Sequence, residues 1–382
     1  MVVEVDRARV VAYRVSTQEF DEAGDGTAAG LAALTLGVQD TPYGSAAVAL
    51  AARHIVPDDT APEDNTSNGL SLVWSLRGAP HLHSDAALPA LASALWPLSD
   101  ADARARIANS AIREGAKLGL SAFDSTAGAV RELATEWISA GRTDPIGKGE
   151  LSEWVSARVP PTLTYWCRSC QSQHVSGGLL QQVGLPGGMR LRIAGQVATF
   201  LPVADWPGVP DKAAGTEALV LDYLRMLGPA TPAEIAKFLG TNQTAARPAW
   251  PADGLTEVRV DGRKAWLPAE RVDALRAAPE PRLVRLLAPG DPYLQARDRD
   301  FLLPDKTRHK ILWPVLGYPG ALMVDGEIAG IWRVHKAGKA GVEVEVTPFG
   351  TLPARVRAAI EQEAGWVARA RRVSDVRVTI KA

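Results

Sequence analysis

The sequence predicts an α+β fold: three tandem winged-helix domains followed by a C-terminal mixed α/β, β-rich segment. Three observations support this prediction. The chain of 382 residues is too long for one typical hydrophobic core, a pattern of helices followed by a hairpin recurs along it, and strand patterns dominate its C-terminal part. We expect four units with the boundaries 1–103, 104–212, 213–279 and 280–382.

The third unit shows the clearest pattern. An amphipathic helix is predicted over 215–224, and residues 231–234 form a capping box with proline at the first helical position. A third helix begins after 241–244 and is ended early by Pro248. Residues 255–267 then predict a hairpin that turns at an Asp-Gly pair. A helix, a helix-turn-helix and a hairpin in this order indicate a winged helix.

The same order recurs more faintly in the first two units, and the last unit is richer in strands. The first unit has helices that begin near Asp6, Thr27 and Pro42 and a hairpin over 71–84. The second has helices over 103–117, 126–140 and 148–155 and a wing over 190–201. The last has strands over 283–287, 342–346 and 376–380, a hairpin over 320–333 and a helix over 353–371.

Charge and composition limit the classes of function. The net charge of −1 argues against a globally basic nucleic-acid binder. The N-terminal part of the chain is acidic, however, and basic clusters lie farther on, so bound DNA would be held at 104–113, 247–264, 282–310 and 369–372. No apolar run is long enough to cross a membrane, and residues 1–7 lack the apolar core of a signal peptide. We therefore expect a cytoplasmic protein.

A polar triplet, Gln39-Asp40-Thr41, interrupts an apolar, alanine-rich helical pattern. The periodicity on either side predicts that two helices meet here, with Pro42 in the first turn of the second. One amide, one carboxylate and one hydroxyl would then lie together at a helix N-terminus, which favours negative charge. The alternative is that Asp40 or Thr41 is only an N-cap for the second helix.

Four motifs give the chain a resemblance to the AlkZ/YcaQ-like winged-helix DNA glycosylase family. The first contains the triplet's first two residues, the second ends in a pair of histidines, and the last two lie in the C-terminal unit. They are Leu36-Gly37-Val38-Gln39-Asp40; Trp74-Ser75-Leu76-Arg77-Gly78-Ala79-Pro80-His81-Leu82-His83; Asp291-Pro292-Tyr293-Leu294 with Arg299 and Asp305; and Asp325-Gly326-Glu327-Ile328-Ala329-Gly330-Ile331-Trp332-Arg333.

The resemblance implies a function and a way of binding. It implies a DNA glycosylase that removes N7-alkylated purines from double-stranded DNA, with three winged helices in a C-shaped DNA-binding arrangement. By analogy, its substrates would be bulky guanine adducts of a genotoxic natural product, and its role self-resistance in the producing cell. We expect no cofactor and a monomer. No lysine lies near the triplet, which favours a monofunctional enzyme that leaves an abasic site.

The family's catalytic signature is a glutamine, an apolar residue and then Gln or Asp, and this chain departs from it. Aligned with the first position, Gln39 puts Asp40 at the apolar position and Thr41 at the last. Aligned with the last position, Gln39 leaves Gly37 at the first. The expected reaction needs no general acid, because the cationic purine leaves as a neutral base. We predict that Asp40 supplies negative charge or acts as general base, that Gln39 orients the water or the sugar, and that Thr41 assists.

Further residues are predicted to contact DNA. His81 and His83 alternate on one face of the first wing beside Arg77, although a pair of surface histidines would give the same pattern. Charged residues of the third and last units would bind phosphates, although a solvated hairpin would look alike. The full predicted set is Arg77, His81, His83, Arg247, Arg263, Lys264, Arg299, Arg308 and Lys310.

Two other functions are compatible with parts of the sequence. A non-catalytic winged-helix transcriptional regulator fits the predicted fold, but the acidic first unit and the short third helix of the third unit count against it. A winged-helix scaffold for protein interactions fits the near-neutral charge.

One short segment resembles a metal site without completing one. A structural zinc site has four protein ligands, but this segment offers only three, Cys167, Cys170 and His174. No metal site is therefore predicted. We expect free thiols in a packed turn, with the neighbouring Trp166 in the core.

Overall fold

A computed structural model describes residues 2–20, 28–56, 69–107, 112–194, 197–337 and 341–381. Helices and sheets are both present, which confirms the α+β class. The chain forms two compact units. The first contains Met1–Ala61, Asp222–Thr231 and Ala252–Ala382, and the second contains Pro62–Leu221 and Pro232–Pro251. The expected start of a helix at Thr27 lies outside the described residues.

In chain order, the helices of the described residues are α1 Arg7–Thr17, α2 Ala33–Leu36, α3 Ser45–Ala51, α4 Leu88–Leu95, α5 Asp100–Ile107, α6 Arg113–Ala116, α7 Leu120–Ser139, α8 Lys148–Ser156, α9 Gly177–Val183, α10 Thr216–Leu227, α11 Pro232–Leu239, α12 Gln243–Ala246, α13 Val272–Ala277, α14 Arg299–Leu302, α15 His309–Leu312 and α16 Ala354–Ala370. The strands are β1 Val3–Val5, β2 Val38–Gln39, β3 Leu70–Trp74, β4 Pro80–Ser84, β5 Ile146–Gly147, β6 Thr164–Cys167, β7 Ser172–Val175, β8 Met189–Ala194, β9 Val197–Pro202, β10 Leu255–Val260, β11 Arg263–Pro268, β12 Val284–Leu287, β13 Gly320–Val324, β14 Glu327–Ala337, β15 Gly341–Pro348 and β16 Asp375–Ile380.

The first unit contains two sheets. The smaller has the order β1-β10-β11, in which β10 and β11 form the predicted antiparallel hairpin and β1 adds a parallel strand that was not predicted from the sequence. The larger has the order β12-β13-β14-β15-β16, antiparallel except for the parallel pair β15 and β16. Helix α16 packs on β12 and β16. Both hairpin turns use an Asp-Gly pair at positive φ, Asp261-Gly262 and Asp325-Gly326, as predicted.

The second unit is built around the long helix α7. Its strands β4, β3, β8, β9 and β5 lie side by side in that order, and β6 and β7 form a separate antiparallel hairpin. The hairpins predicted over 71–84 and 190–201 are confirmed as β3–β4 and β8–β9. One apolar core joins α7 to α5, α8, α9 and the sheet, with Phe123, Val130 and Leu133 fully or nearly fully buried.

Some predicted helix boundaries are wrong. The helix expected from residue 126 begins at Leu120, because Ala122 and Phe123 are buried in the core and packing overrides the polar residues around them. The helix expected over 103–117 begins at Asp100 and is interrupted at Ile112, whose φ of −112° and ψ of 57° are not helical, and residues 108–111 lie outside the described residues. The helix expected from Pro42 begins at Ser45, because a turn intervenes in which Gly44 is left-handed at φ +83° and serves as N-cap.

Candidate functional site

The predicted catalytic triplet lies on a strand, turn and helix of the first unit. Gln39 ends β2, and a turn leads from Asp40 into α3, whose first residue is Ser45. The Ser45 hydroxyl donates to the Gln39 carbonyl at 3.1 Å, and the Ala46 amide donates to Asp40 Oδ1 at 2.9 Å. Asp40 therefore satisfies an amide in the first turn of α3 without occupying the N-cap position. The alternative that Asp40 or Thr41 is the N-cap is therefore wrong, because Gly44 is the N-cap of α3, although Asp40 Oδ1 does accept from one amide of the first turn.

The second carboxylate oxygen of Asp40 is uncommitted. The residue is 2% exposed, and Oδ2 has no hydrogen-bond partner among the described residues. Burial raises the Asp40 pKa to about 6, while the amides of Ala46, Gly44 and Ser45 and the charge of Arg371 act in the opposite direction. A buried carboxylate with a pKa near neutrality and one free oxygen is suited to accept a proton.

The Gln39 side chain is held by two residues that are far away in sequence. Arg297 Nη2 donates to Gln295 Oε1 at 2.8 Å, and Gln295 Nε2 donates to Gln39 Oε1 at 3.1 Å. Arginine is only a donor, so Gln295 must present its oxygen to Arg297 and its amino group to Gln39. This fixes the orientation of both amides and leaves the Gln39 amino group as the donor that can face a ligand.

Gly290 lies directly against the Gln39 amide. Its φ of +73° favours glycine, and a Cβ added there would lie 3.2 Å from Gln39 Cδ and 3.3 Å from Nε2. Burial lowers the Arg297 pKa from its usual value, and Arg297 Nε has no hydrogen-bond partner among the described residues. The network around Gln39 is therefore tightly packed on one side and contains a partly unsatisfied cation.

Two buried ion pairs anchor the segment that carries these residues. Asp291, at its start, pairs with Arg53 at 2.9 Å, and both side chains are fully buried. Asp298, at its end, pairs with Arg14 at 2.7 Å. The Tyr293 amide also donates to Asp291 Oδ1 at 2.9 Å, which closes the turn of the Asp-Pro-Tyr motif. Residues 290–298 thus form a rigid support for Gln39, because each end is fixed to a different part of the same unit.

Three residues of this network, Gln295, Arg297 and Gly290, were not predicted from the sequence. The only signal was their proximity to the Asp-Pro-Tyr-Leu motif, since the contact between Gln295 and Gln39 spans 256 residues. Local periodicity carries no information about such a contact. Thr41, by contrast, was predicted and lies at the surface of the same turn.

The residues predicted for the first wing, which lie in the second compact unit of the structure, have contacts within the protein. His81 and His83 are each 1% exposed, so the alternative of surface histidines is wrong. His81 Nδ1 donates to the Ala79 carbonyl at 2.9 Å, and His83 Nε2 lies 3.1 Å from Ser75 Oγ. Arg77 donates to the Phe238 carbonyl at 2.8 Å. Their contact with DNA stays a prediction, and in this structure the two imidazoles are inside the protein.

The other predicted phosphate-binding residues are mostly at the surface. Arg247, Arg263, Arg299 and Lys310 are exposed. Lys264 is exposed but pairs with Glu257 at 2.5 Å, which lowers the pKa of that carboxyl. Arg308 is half-buried and pairs with Asp305 at 2.8 Å.

An exposed apolar loop follows α15, beside the predicted cations of the last unit. Val315 is 92% and Leu316 is 85% exposed, and the loop is bracketed by Pro314 and Pro319. Residues 299–319 contain four Lys or Arg and two Asp. Two neighbouring exposed aliphatic side chains indicate an interaction surface more strongly than a single one does. They were not singled out from the sequence, although an apolar run between prolines was visible.

The expectation for the turn near Trp166 is partly wrong. Trp166 is 54% exposed, because β6 and β7 form a hairpin that projects one face to solvent. Cys167, Cys170 and His174 lie together on this hairpin with their ligand atoms within 4.8 Å of one another. Hydrogen bonds from Ser169 and Cys170 lower the Cys167 pKa to about 7.

In the part of the chain that the structure describes, no helix is both long and apolar enough to span a membrane.

Comparisons with known proteins show the family to which the chain belongs. A family model described as "DNA glycosylase AlkZ-like" matches residues 32–370, which include Gln39 and its supporting segment. The chain belongs to the AlkZ-like family. The family resemblance predicted from the four motifs is therefore confirmed.

A curated protein and a solved structure, both from Streptomyces sahachiroi, are similar to the chain. One, named "Interstrand DNA cross-link repair glycosylase", is 32% identical over 186 residues, or 46% of this chain and 48% of the relative. The match thus spans about half the length of that curated protein. The solved structure of Streptomyces sahachiroi DNA glycosylase AlkZ is 24% identical, with a TM-score of 0.74, over 99% of this chain and 100% of the other. This likeness shows a shared fold.

Proposed function

We propose that this AlkZ-like family member is a monofunctional DNA glycosylase that hydrolyses the N-glycosidic bond of N7-alkylated purines in double-stranded DNA. The observation that carries the proposal is Asp40. A buried carboxylate keeps one oxygen uncommitted beside an amide, Gln39, whose orientation is fixed from outside the turn. The hydrogen bond to the Ala46 amide uses only Oδ1, so support of α3 does not explain why Oδ2 is buried without a partner among the described residues.

The proposed reaction needs one base and no acid. A purine alkylated at N7 carries a positive charge, so the electron pair of the C1′–N9 bond moves into the ring and the base leaves neutral. Water oxygen forms the new bond to C1′, and its proton passes to Asp40 Oδ2. The negative charge of Asp40 also stabilises the oxocarbenium-like sugar before water adds. The products are an abasic site and the free alkylated base.

Gln39 and Thr41 serve this step by positioning. The Gln39 amino group donates to the water oxygen or to the sugar, because its carbonyl oxygen is already bound by Gln295. Thr41, at the surface of the turn, assists from the open side. Gln295 holds the side-chain amide of Gln39, and Arg297 holds that of Gln295.

Binding to DNA is proposed to rely on the exposed cations and on the apolar loop. The exposed residues Arg247, Arg263, Arg299 and Lys310 neutralise phosphates. Val315 and Leu316 follow the cations of the last predicted unit and are suited to enter a groove or to separate neighbouring bases, as apolar wedges do in DNA-bending proteins. The division into three winged helices with a C-shaped arrangement, and the domain boundaries, belong to this proposal.

The proposed substrates are bulky guanine adducts. The relative's name refers to interstrand cross-links, and a cross-link is the bulkiest form of such a lesion. A role in self-resistance against a genotoxic natural product follows by analogy. Cofactors are not required by the proposed chemistry, and the protein is expected to act as a monomer.

The experiment is a base-release assay on a labelled duplex with one N7-alkylguanine, read as strand breaks after mild heat or alkali. The wild type is expected to produce abasic sites, and Gln39→Ala and Asp40→Asn to slow single-turnover release by about 100-fold or more. Asp273→Asn, at a 97% exposed carboxylate, is the control and should match the wild type. Tight binding to one defined operator without release of any base would support a regulator and overturn the proposal.

A further inference from the structure

A hairpin in the second unit brings together three side chains that bind soft metal ions. Strands β6 and β7 are antiparallel, with Cys167 opposite Ser172 and Tyr165 opposite His174. This register places Cys167 and His174 on one face of the hairpin, because alternate residues share a face. Cys170 lies in the turn between the strands. The two sulfur atoms and an imidazole nitrogen all lie within 4.8 Å of one another.

We propose that Cys167, Cys170 and His174 bind one Zn²⁺ ion, with water in the fourth position. Two thiolates and one imidazole are a ligand set that zinc accepts when a fourth position stays open. The sequence alone disfavours zinc, because a structural site takes four protein ligands. The proximity of the three side chains removes that objection, since an exposed turn gives water access to the ion.

The distances fit this coordination. Zinc with bonds of about 2.3 Å to sulfur and about 2.0 Å to nitrogen sets its tetrahedral ligands about 3.5–3.8 Å apart. The three ligand atoms must therefore approach by about 1 Å from their greatest separation of 4.8 Å. Cys170 is exposed and Cys167 is half-buried, so neither thiol is enclosed by the core.

The imidazole already has the support that a metal ligand needs. His174 Nδ1 lies 3.0 Å from Ser152 Oγ on α8, and Nε2 lies 3.2 Å from Ser172 Oγ at the end of the turn. The Ser152 contact orients the ring and leaves Nε2 for the ion, with the Ser172 hydroxyl displaced. Bound zinc would link the turn to β7 and hold the exposed Trp166 in a fixed position.

The test is metal binding by the full chain, reduced and freed of metal with a chelator. Titration with Zn²⁺ against a chromophoric competitor is expected to give one ion per chain. Co²⁺ is expected to add a sulfur-to-cobalt charge-transfer band in the near ultraviolet. Cys167→Ser, Cys170→Ser and His174→Gln should each weaken binding by about 100-fold or more, and Ser152→Ala by about tenfold. His335→Gln, at a half-exposed histidine of the other unit, is the matched control.

Several results would overturn the proposal. Zinc bound equally by the wild type and His174→Gln would be an adventitious ion only. A Co²⁺ complex without the sulfur band would exclude the thiols as ligands. Mass spectrometry that finds a Cys167–Cys170 disulfide in protein purified from a reducing cytosol would assign the pair to redox chemistry instead. None of these readouts depends on glycosylase activity.

Discussion

At the scale of single residues, Asp40 combines two tasks that usually fall to different side chains. Its Oδ1 accepts from the Ala46 amide and secures the start of α3, while Oδ2 is buried without a partner among the described residues. An unsatisfied buried oxygen costs stability, so it needs an explanation. The proposed reaction gives one, because that oxygen is where the proton of the attacking water would go.

The first prediction separates these two tasks. Because the folded pKa of Asp40, about 6, lies above the ordinary value of 3.8, ionisation opposes folding. The contribution of Asp40 to the free energy of unfolding is fully present below pH 3.8 and is lost as the pH rises through about 6, by up to about 3 kcal/mol. Asp40→Asn keeps an acceptor for Ala46 and removes the charge. We expect a variant without activity that melts at a higher temperature than the wild type at pH 8, with the difference shrinking towards pH 4.

Calorimetry at several pH values, combined with the base-release assay, checks this. A variant that is destabilised at every pH would show that the carboxylate is mainly structural. An active Asp40→Asn variant would remove Asp40 from the mechanism.

The second prediction concerns the pH dependence of activity. The general base must be ionised, so single-turnover release is expected to fall about tenfold per pH unit below about pH 6. The rate in the absence of enzyme is subtracted, because cationic purines are also lost spontaneously. A profile that is flat between pH 5 and 8 would argue that Asp40 does not accept the proton.

At the scale of elements, segment 290–298 and turn 40–44 together hold the residues of the proposed site. The segment is fixed at Asp291 and Asp298 by buried arginines and delivers Gln295 to Gln39. The turn places Asp40 under the amides of α3. Neither element carries the proposed chemistry alone.

The third prediction tests the fit between these elements. Gly290→Ala adds a methyl group 3.2 Å from Gln39 Cδ, so the amide must shift by a few tenths of an ångström. A misplacement of this kind slows release, by roughly 10-fold to 100-fold. Gly141→Ala is the matched control, because Gly141 also has a positive φ, +66°, but has nothing within 4 Å of its Cβ position and lies outside the candidate site and the proposed DNA contacts. Equal rates for the two variants would show that Gln39 does not need this packing.

The fourth prediction concerns the loop after α15. Val315→Ser with Leu316→Ser is expected to slow base release by about tenfold or more and to leave the melting temperature unchanged, because both side chains are exposed. Val197→Ser, at a 63% exposed valine, is the control for loss of a surface apolar group. Unchanged release by the double variant would exclude the loop from contact with DNA.

At the scale of the whole molecule, a net charge of −1 must be reconciled with binding to a polyanion. Many cations are paired within the protein, as Lys264 is with Glu257 and Arg308 with Asp305. Paired cations contribute less to phosphate binding, so affinity is expected to depend on a few exposed residues such as Lys310.

The fifth prediction uses salt to count those contacts. Lys310→Ala should weaken binding to duplex DNA and reduce the slope of log affinity against log salt by about 0.9. Lys117→Ala, whose ammonium pairs with Glu114 on an exposed helix, should change neither. Fluorescence anisotropy at several salt concentrations measures the slope. An unchanged slope for Lys310→Ala would place this lysine away from the phosphates.

The sequence by itself determined most elements and the family. The Asp-Gly pairs at 261–262 and 325–326, the Asn242 cap of α12 and the strand alternation at 342–346 are local signals, and the structure follows them. It also indicated the triplet at 39–41. Only the tertiary structure decided that Asp40 keeps a free oxygen, that Gln295 orients Gln39, that β1 joins β10, and that Trp166 is exposed. The physical reason is range: caps and turns are set by neighbours in the chain, whereas burial and contacts across 256 residues depend on how the whole chain packs.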